Sequence, residues 1–184
     1  ARESHRGQSH HPPPAMLTAT PLSRGLAVRA YQADDASGVR RVLAATYPGN
    51  DTEVALGSWW SFGCPTAASG YQVAECDGRI VGLQPMAIFD YRDAGRPVKG
   101  AVLAGVAVDP EYRRRGIFSA LLDACEREAW DRGAAFVTSM PNERSLPGFR
   151  RAGYTDLGRR ALLVRPLRAV TLGGAVVPFA GHVA

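Results

Sequence analysis

The stretch that decides the fold is VAVDPEYRRRGIFSALLDAC, residues 106–125. A short apolar run ends at Asp109-Pro110, three arginines and a glycine follow, and apolar residues then recur at helical spacing from Ile117 to Ala129. Gly133 stands where the C-terminus of a helix favours glycine. The stretch therefore predicts a strand, a tight loop and a long helix in succession.

The loop between this strand and this helix predicts an anion site. The first turn of a helix has unpaired N–H groups and the positive end of the helix dipole, which attract anions and disfavour cations. Three arginines at this point therefore indicate a bound anion, and Gly116 lets the backbone approach it closely. We expect a pyrophosphate ligand, although neither GxxxxGK[ST] nor GxGxxG occurs. The residues expected to bind it are Arg113, Arg114, Arg115, Gly116, Ile117, Phe118 and Ser119.

Length and composition favour one globular domain. The chain has 184 residues, of which 46% are hydrophobic, enough for one core. No run of about 18 apolar residues occurs, so we expect no membrane span, and a cytoplasmic location follows by default. Cys64, Cys76 and Cys125 fit neither a disulfide framework nor a metal site, and we interpret them as reduced thiols, mostly buried.

Three regions are expected along the chain. Residues 1–25 are rich in Pro, Ser, His and Arg and predict a disordered tail, in which His5, His10 and His11 lack the partners of a metal site. Residues 26–168 form the folded domain, and residues 169–184 are an extension with no placement. Contacts between copies of the chain, as in a homodimer, stay open.

The first half of the domain predicts a strand from Leu26 to Ala30, a helix capped by Asp34, and a short helix and loop over residues 51–70. Asp77-Gly78 predicts a hairpin turn, because both central positions of such a turn need a positive φ. A second turn near residues 92–97 leads into one strand over residues 98–108, which we expect to be buried on both faces.

The second half predicts a buried strand over residues 134–140 and a helix over residues 142–153 that is interrupted by Pro147 and Gly148. Two further strands are expected within residues 154–167.

Two motifs in order resemble the GNAT superfamily of N-acetyltransferases. Residues 113–118 match the first and fourth positions of its phosphate loop, Arg/Gln-x-x-Gly-x-Gly/Ala, whereas Phe118 departs at the sixth. Downstream, Asn142 is followed three residues later by Ser145, seven later by Phe149, and then by an Ala-Gly-Tyr ending that is similar to the family's Leu-Gly-Phe. The resemblance covers residues 28–167.

The resemblance implies an α/β (α+β) fold. Its central sheet would be mixed, mostly antiparallel, flanked by about four helices and splayed between the fourth and fifth strands. It also implies acetyl-CoA as donor, with the backbone of Val106, Ala107 and Val108 pairing with the pantetheine arm and polarising the thioester carbonyl. Asn142, Ser145 and Phe149 would face the cofactor. The acceptor pocket would contain Trp59, Trp60, Phe62 and Tyr91.

The catalytic groups are unknown from the sequence. Phe149 stands where many members of the family carry a tyrosine that protonates the departing thiolate, and phenylalanine has no proton to give. Ser145 and Glu143 are the candidates for a catalytic side chain. Further carboxylates that are open as a base are Glu53, Asp90 and Asp93. Tyr154 is open as an acid, although core packing is the expected role.

The function expected is transfer of an acetyl group from acetyl-CoA to a primary amine of a small molecule, with no metal. The second hypothesis is a non-catalytic domain that binds acyl-CoA as a sensor or scaffold, favoured by Phe149. The third is a nucleic-acid binder that uses Arg113–Arg115, Arg150 and Arg151. The arginines lack stacking aromatics interleaved between them, so we expect no nucleic-acid partner.

Overall fold

The computed structural model describes residues 25–49 and 68–158 and two short strands, 170–172 and 175–177. The strands are β1 (Leu26–Ala30), β2 (Ala68–Cys76), β3 (Arg79–Asp93), β4 (Arg96–Leu103), β5 (Ala107–Val108), β6 (Phe136–Ser139), β7 (Val170–Leu172) and β8 (Ala175–Val177). The helices are α1 (Ala36–Thr46), α2 (Ile117–Asp131) and α3 (Leu146–Arg151), with 3-10 turns at Ala33–Asp35 and Pro110–Tyr112.

The main sheet has the order β1-β2-β3-β4-β6, and β5 pairs with β3. All of its pairings are antiparallel except β4 with β6, which is parallel. Asp77 and Gly78 join β2 to β3 with φ values of 49° and 78°, so the predicted hairpin is confirmed. β7 and β8 form a separate two-stranded antiparallel sheet within the extension that the sequence left without a placement.

The described helices pack on both faces of the sheet, α1 on one and α2 with α3 on the other. On one face α1 buries Val39, Val42 and Leu43 against Val73 and Leu83. On the other face α2 contributes the buried side chains Ile117, Leu121, Leu122, Cys125 and Ala129. The apolar spacing along residues 117–129 therefore forms the predicted helix, and Gly133 follows it with a φ of 81°. The mixed sheet with flanking helices confirms the predicted fold class. Of the short helix and loop expected over residues 51–70, the helix being the fourth in the count, residues 51–67 lie outside the described residues, whereas residues 68–70 begin β2 and are not a loop.

The helix cap predicted at Asp34 is wrong by one residue. A 3-10 turn precedes α1, and its last residue, Asp35, carries the contacts. The Asp35 carboxylate accepts hydrogen bonds from the Gln32 backbone N–H at 2.7 Å and from Arg29 at 2.7 and 2.8 Å. Arg29 thereby lowers the pKa of Asp35 and joins β1 to the start of α1.

The strand predicted over residues 98–108 is two strands. β4 ends at Leu103 and β5 begins at Ala107, because Gly105 takes a left-handed conformation with a φ of 70°. The strand expected to be buried over residues 134–140 is β6, which has β4 on one side and no partner strand on the other among the described residues. Phe136 on this edge is accordingly 41% exposed.

The interrupted helix predicted over residues 142–153 is also wrong, since α3 runs without a break from Leu146 to Arg151. Pro147 lies in its first turn, where a proline removes no helical hydrogen bond. Residues 154–158 form no strand, and residues 159–167 lie outside the described residues. Cys125 is a buried thiol and Cys76 a partly buried one, whereas Cys64 lies outside the description.

Candidate functional site

A β-bulge opens the sheet between β4 and β5. Met86 pairs with Leu103 and Leu83 pairs with Ala107, so two residues of β3 lie opposite three of the neighbouring chain. One of the two is Pro85, which has no N–H to give to a ladder. Gly105 supplies the left-handed residue in the bulge. The strand breaks here because Pro85 cannot donate to the ladder and Gly105 turns the neighbouring chain away from it.

Beyond the bulge, β5 has one edge without a partner strand. Asp109 N–H donates to Val81 O at 2.9 Å, and hydrogen-bonded pairs alternate along an antiparallel ladder, so Ala107 also faces β3. The N–H groups of Val106 and Val108 consequently point to the opposite edge. No acceptor for either group occurs in the part of the chain that the structure describes. An extended ligand with its own amides can pair with this edge as an added strand would.

The gap beside this edge starts where β4 and β6 separate. Their parallel pairing ends at Leu103 and Ser139, and residues 140–142 then leave the sheet. The Ser139 hydroxyl donates to Leu103 O at 3.1 Å and holds the two strands together at the point of separation. The gap between β5 and the segment after β6 is the splay that the sequence predicted between the fourth and fifth strands, with β4 and β5 counted as one strand.

The loop from β5 to α2 is organised around the buried Asp109 side chain, which is 4% exposed. Its carboxylate accepts from Glu111 N–H at 3.1 Å and from Arg79 at 3.3 Å. These contacts fix the 3-10 turn Pro110–Tyr112 that precedes the arginines.

Seven successive backbone N–H groups follow this turn with no acceptor among the described residues, those of residues 113–119. The first helical bond of α2 is donated by Ala120 to Gly116 O at 3.0 Å. Arg114 and Gly116 have φ values of 61° and 78°, a pattern that turns consecutive amides into a concave anion site. The site lies at the positive end of the α2 dipole.

The three arginines of the loop have different surroundings. Arg113 Nε donates to Val108 O at 3.3 Å, beside the open edge. Arg115 donates to Glu111 O at 3.2 Å and lies over the Tyr112 ring at 4.8 Å from its centroid, so it stabilises the turn. Arg114 makes no such contact in the described structure and is exposed, which leaves its guanidinium available to a ligand.

Asn142 and Ser145 lie together in the turn that begins α3. The Asn142 Oδ1 atom accepts from the backbone N–H groups of Arg144 at 3.1 Å and Ser145 at 3.0 Å, and from the Ser145 hydroxyl at 3.2 Å. Asn142 therefore caps this turn, while its Nδ2 donors have no acceptor among the described residues. Glu143 is exposed.

Phe118 and Phe149, the two departures from the family motifs, contact each other. Their rings meet edge to face at 5.2 Å, and Phe149 is 3% exposed in the core. Tyr154 packs on Phe149 at 5.0 Å and donates its hydroxyl to Glu126 at 2.8 Å. Burial raises the pKa of both Tyr154 and Glu126, so the phenol stays protonated in this core position.

Of the predicted acceptor pocket, only Tyr91 is within the described residues. Its ring contacts Phe136 at 5.1 Å and Phe89 at 6.5 Å on one face of β3 and β6. Trp59, Trp60 and Phe62 lie outside the description, as does Glu53. Asp90 is paired with Lys99 at 3.1 Å on the surface, and Asp93 is exposed.

A groove of about 660 Å³ lies elsewhere, between β1, β2 and the C-terminal half of α2. Its lining includes Gln72, Glu128 and Asp131 and shares no residue with the bulge, the open edge or the loop. The geometry for holding a phosphate therefore lies outside this groove.

A family model described as an acetyltransferase (GNAT) domain matches residues 27–156, from the second residue of β1 to beyond the end of α3. The chain belongs to the GNAT acetyltransferase family. GNAT enzymes use acetyl-CoA as the acetyl donor, so the chain is an acetyltransferase domain with that donor. No curated protein matches the chain by sequence.

Solved structures share the GNAT fold. An acetyltransferase from Trypanosoma brucei is 24% identical with a TM-score of 0.61, over 76% of this chain and 99% of that chain. AAC(6')-Iy, crystallised with a CoA-S-monomethyl-acetylneamine bisubstrate analogue, is 18% identical with a TM-score of 0.63, over 77% and 98%. Glucosamine-6-phosphate N-acetyltransferase from Arabidopsis thaliana is 14% identical with a TM-score of 0.59, over 78% and 99%. These likenesses concern the fold.

The GNAT fold places two residues at the bulge that the sequence did not single out, Gln84 and Pro85. A proline within an apolar strand and a glycine within the next one, Gly105, are the two signals that indicate a break in the ladder. Each signal alone is ambiguous, and only the register brings them opposite each other.

Proposed function

We propose that this GNAT domain transfers the acetyl group of acetyl-CoA to a primary amine of a small molecule. The observation that carries the proposal is a set of N–H groups that have no acceptor among the described residues, those of Val106 and Val108 on the open edge of β5 and those of residues 113–119 in the loop after it. An extended amide-containing arm can pair with the edge, and a pyrophosphate can accept from the loop. The donor supplies the acetyl thioester, and the chain's own groups bind and orient it.

In this proposal, residues 113–119 bind the phosphate groups of the donor. Their N–H groups have no acceptor among the described residues and are available to the pyrophosphate, to which the Arg114 guanidinium adds a charge-assisted hydrogen bond, a type of interaction worth roughly 1.5–3 kcal/mol. Arg113 is held by Val108 O and can also contact the ligand at the junction of edge and loop. Arg115 acts on the loop itself through Tyr112.

The amine is expected in the gap. The aromatic side chains of β3 and β6 lie opposite residues 98–100 of β4, three to five residues before Leu103, so only an extended acceptor reaches them from the gap. Tyr91, Phe89 and Phe136 give a surface against which an apolar ring can pack. AAC(6')-Iy is an aminoglycoside N-acetyltransferase and the Arabidopsis thaliana protein is a glucosamine-6-phosphate N-acetyltransferase. Both act on amines of sugar-like molecules, which supports an amino sugar as the first class to test.

Proton transfer is assigned to water in this proposal. Residues 103–108 and 139–142, which border the gap, contain no ionisable side chain. A neutral fraction of the amine then reacts when it is held in line with the thioester, since positioning alone contributes much of the rate. Ser145 and Glu143 stay candidates for assisting the thiolate and the amine, respectively.

Thiol release from acetyl-CoA in the presence of amines tests the proposed function. We expect release that depends on the enzyme and on one class of amine, with amino sugars, amino acids and N-terminal peptides compared at equal concentration. Gly116→Asp is the negative control, because a carboxylate in the loop repels the pyrophosphate. Binding of acetyl-CoA without release for any amine contradicts transfer and favours the second candidate, a sensor of acyl-CoA. This second candidate is supported by Phe149, which is buried at the position where many members of the family carry the tyrosine that acts as the acid.

Nucleic acid is disfavoured by the surroundings of the arginines. Arg115 is stacked on Tyr112 and Arg150 is paired with Asp156 at 3.3 Å, which occupies two of the five side chains on which that hypothesis rests. None of the helices in the described segments has the length and the apolar stretch to cross a bilayer. A cytoplasmic location is kept in the proposal because Cys76 and Cys125 are free thiols, and a homodimer stays a prediction.

A further inference from the structure

Gln84 is a buried amide at the bulge, in the middle of β3 and 1% exposed. Its Nε2 group donates to Pro85 O at 2.9 Å and, in a longer contact, to Ala104 O at 3.4 Å. Its Oε1 atom has no partner in the described structure. The side chain thus bridges β3 to the first residue of the bulge.

The contact with Ala104 O sets the direction of the next N–H group. In a planar trans peptide the C=O of one residue and the N–H of the following residue point in opposite directions. The described peptide bonds are trans, so an Ala104 carbonyl turned toward β3 leaves the Gly105 N–H turned toward the gap. The Gly105 N–H has no acceptor among the described residues and lies next to the free N–H of Val106.

We propose that Gln84 is a positioning residue that aims the Gly105 N–H at the thioester carbonyl of the bound donor. The inference rests on the proposed function: with the pyrophosphate at residues 113–119 and the amide-containing arm along β5, the thioester end of the donor would lie next to the bulge. A donor directed at the carbonyl oxygen stabilises the negative charge that grows there during acyl transfer. The resemblance to the family implies that the backbone of Val106 to Val108 polarises the thioester carbonyl. The geometry of the bulge adds the Gly105 N–H to these groups.

The unsatisfied Oε1 atom indicates that Gln84 is not retained for stability. A buried acceptor without a donor is destabilising, so an apolar side chain of similar size should fold equally well. Gln72, which pairs with Gln84 in the register of β2 and β3, is different, since its Nε2 group donates to Glu128 at 2.8 Å. Gln72 is also buried, and its side-chain hydrogen bond goes to α2 and not to residues 103–107, which makes it the matched control.

The test compares Gln84→Met with Gln72→Met and the wild-type chain. Affinities for acetyl-CoA and for CoA are measured by calorimetry, and the thioester carbonyl of bound 1-13C acetyl-CoA is observed by NMR. We expect Gln84→Met to lower the ratio of the acetyl-CoA affinity to the CoA affinity about tenfold, the loss of one hydrogen bond. Its carbonyl resonance should return toward that of free acetyl-CoA, while CoA affinity stays within about twofold. Gln72→Met should change neither quantity.

A second measurement uses the wild-type chain alone, in case Gln84→Met does not fold. The amide proton of Gly105 should move downfield with acetyl-CoA relative to CoA, because only the former brings a carbonyl. An equal Gly105 shift with both ligands, or a Gln84→Met carbonyl resonance equal to the wild type, overturns the role of Gln84 while the proposed function stands. A wild-type chain that binds neither ligand overturns both.

Discussion

Arg114 occupies the left-handed region of backbone space, with a φ of 61°. This conformation costs a residue with a Cβ atom about 1–2 kcal/mol, and a glycine avoids that cost. The residue that carries the free guanidinium of the loop is therefore the one held in a strained conformation. Strain of this kind persists where the surrounding structure and function require it.

Arg114→Gly should weaken the binding of acetyl-CoA while leaving the stability of the fold nearly unchanged. Relief of the φ strain and the greater freedom of glycine in the unfolded chain offset each other, so the free energy of unfolding should stay within about 1 kcal/mol of the wild type. The dissociation constant for acetyl-CoA should rise at least about tenfold through the loss of one charge-assisted hydrogen bond. Urea denaturation and calorimetry measure the two quantities.

Ala94→Gly is the matched control, because Ala94 also has a positive φ, 45°, in the turn between β3 and β4. It should relieve strain and leave acetyl-CoA affinity unchanged. An Arg114→Gly variant that binds acetyl-CoA as tightly as the wild type would show that the guanidinium does not contact the ligand.

Single residues were predictable where a local rule applies. Asp77-Gly78 and Gly133 each satisfy a backbone requirement that depends only on their neighbours, and both predictions are confirmed. The roles of Gln84 and Pro85 depend on their position beside Ala104 and Gly105, which lie some twenty residues along the chain. No local rule connects positions so far apart, so the pair could not be predicted from the sequence.

At the scale of elements, α3 docks on the first turn of α2 through Phe118. A Cβ atom at Gly148 would lie 2.8 Å from the Phe118 ring, so the glycine makes room for it. The larger residue at the sixth position of the phosphate loop thus packs against Gly148 and Phe149 of α3. Phe118 and Phe149 form one packing unit, and their departures from the family motifs are connected.

Gly148→Ala should destabilise the fold, although alanine is ordinarily better than glycine in a helix by about 1 kcal/mol. The clash with Phe118 should cost about 1–3 kcal/mol in the free energy of unfolding. Phe118→Leu should lose part of the ring contact and also remove the clash. In a double-mutant cycle by urea denaturation, the two changes together should cost less than the sum of the two alone. Additive effects would mean that α3 does not dock through this contact.

Elements with a clear hydrophobic periodicity could be predicted from the sequence. Features that depend on how the strands pair with one another could not. The helix over residues 117–131 follows from apolar spacing and its glycine stop. The pattern of residues 98–108 does not predict the break between β4 and β5, because small and β-branched residues continue through the bulge. β6 was expected to be buried because it is apolar, whereas its place at the edge depends on the order of the strands.

At the level of the whole molecule, the sheet brings together two parts of the sequence in the proposed donor site. β3 supplies Gln84, β5 supplies the open edge, and the loop and α2 supply the amides of residues 113–119. The parallel pairing of β4 and β6 then ends at the point where the gap begins. We propose that one continuous run of chain, from the bulge to the first turn of α2, makes most of the contacts with acetyl-CoA.

Amide hydrogen exchange, measured by NMR with and without acetyl-CoA, shows directly whether these residues bind the donor. Without ligand the N–H groups of Val106, Val108 and residues 113–119 should exchange rapidly, because they lack acceptors in the described structure. Saturating acetyl-CoA should slow their exchange at least about tenfold, since each gains a hydrogen-bond acceptor, whereas ATP at the same concentration should protect neither Val106 nor Val108. Binding of acetyl-CoA that leaves these amides unprotected would contradict the account.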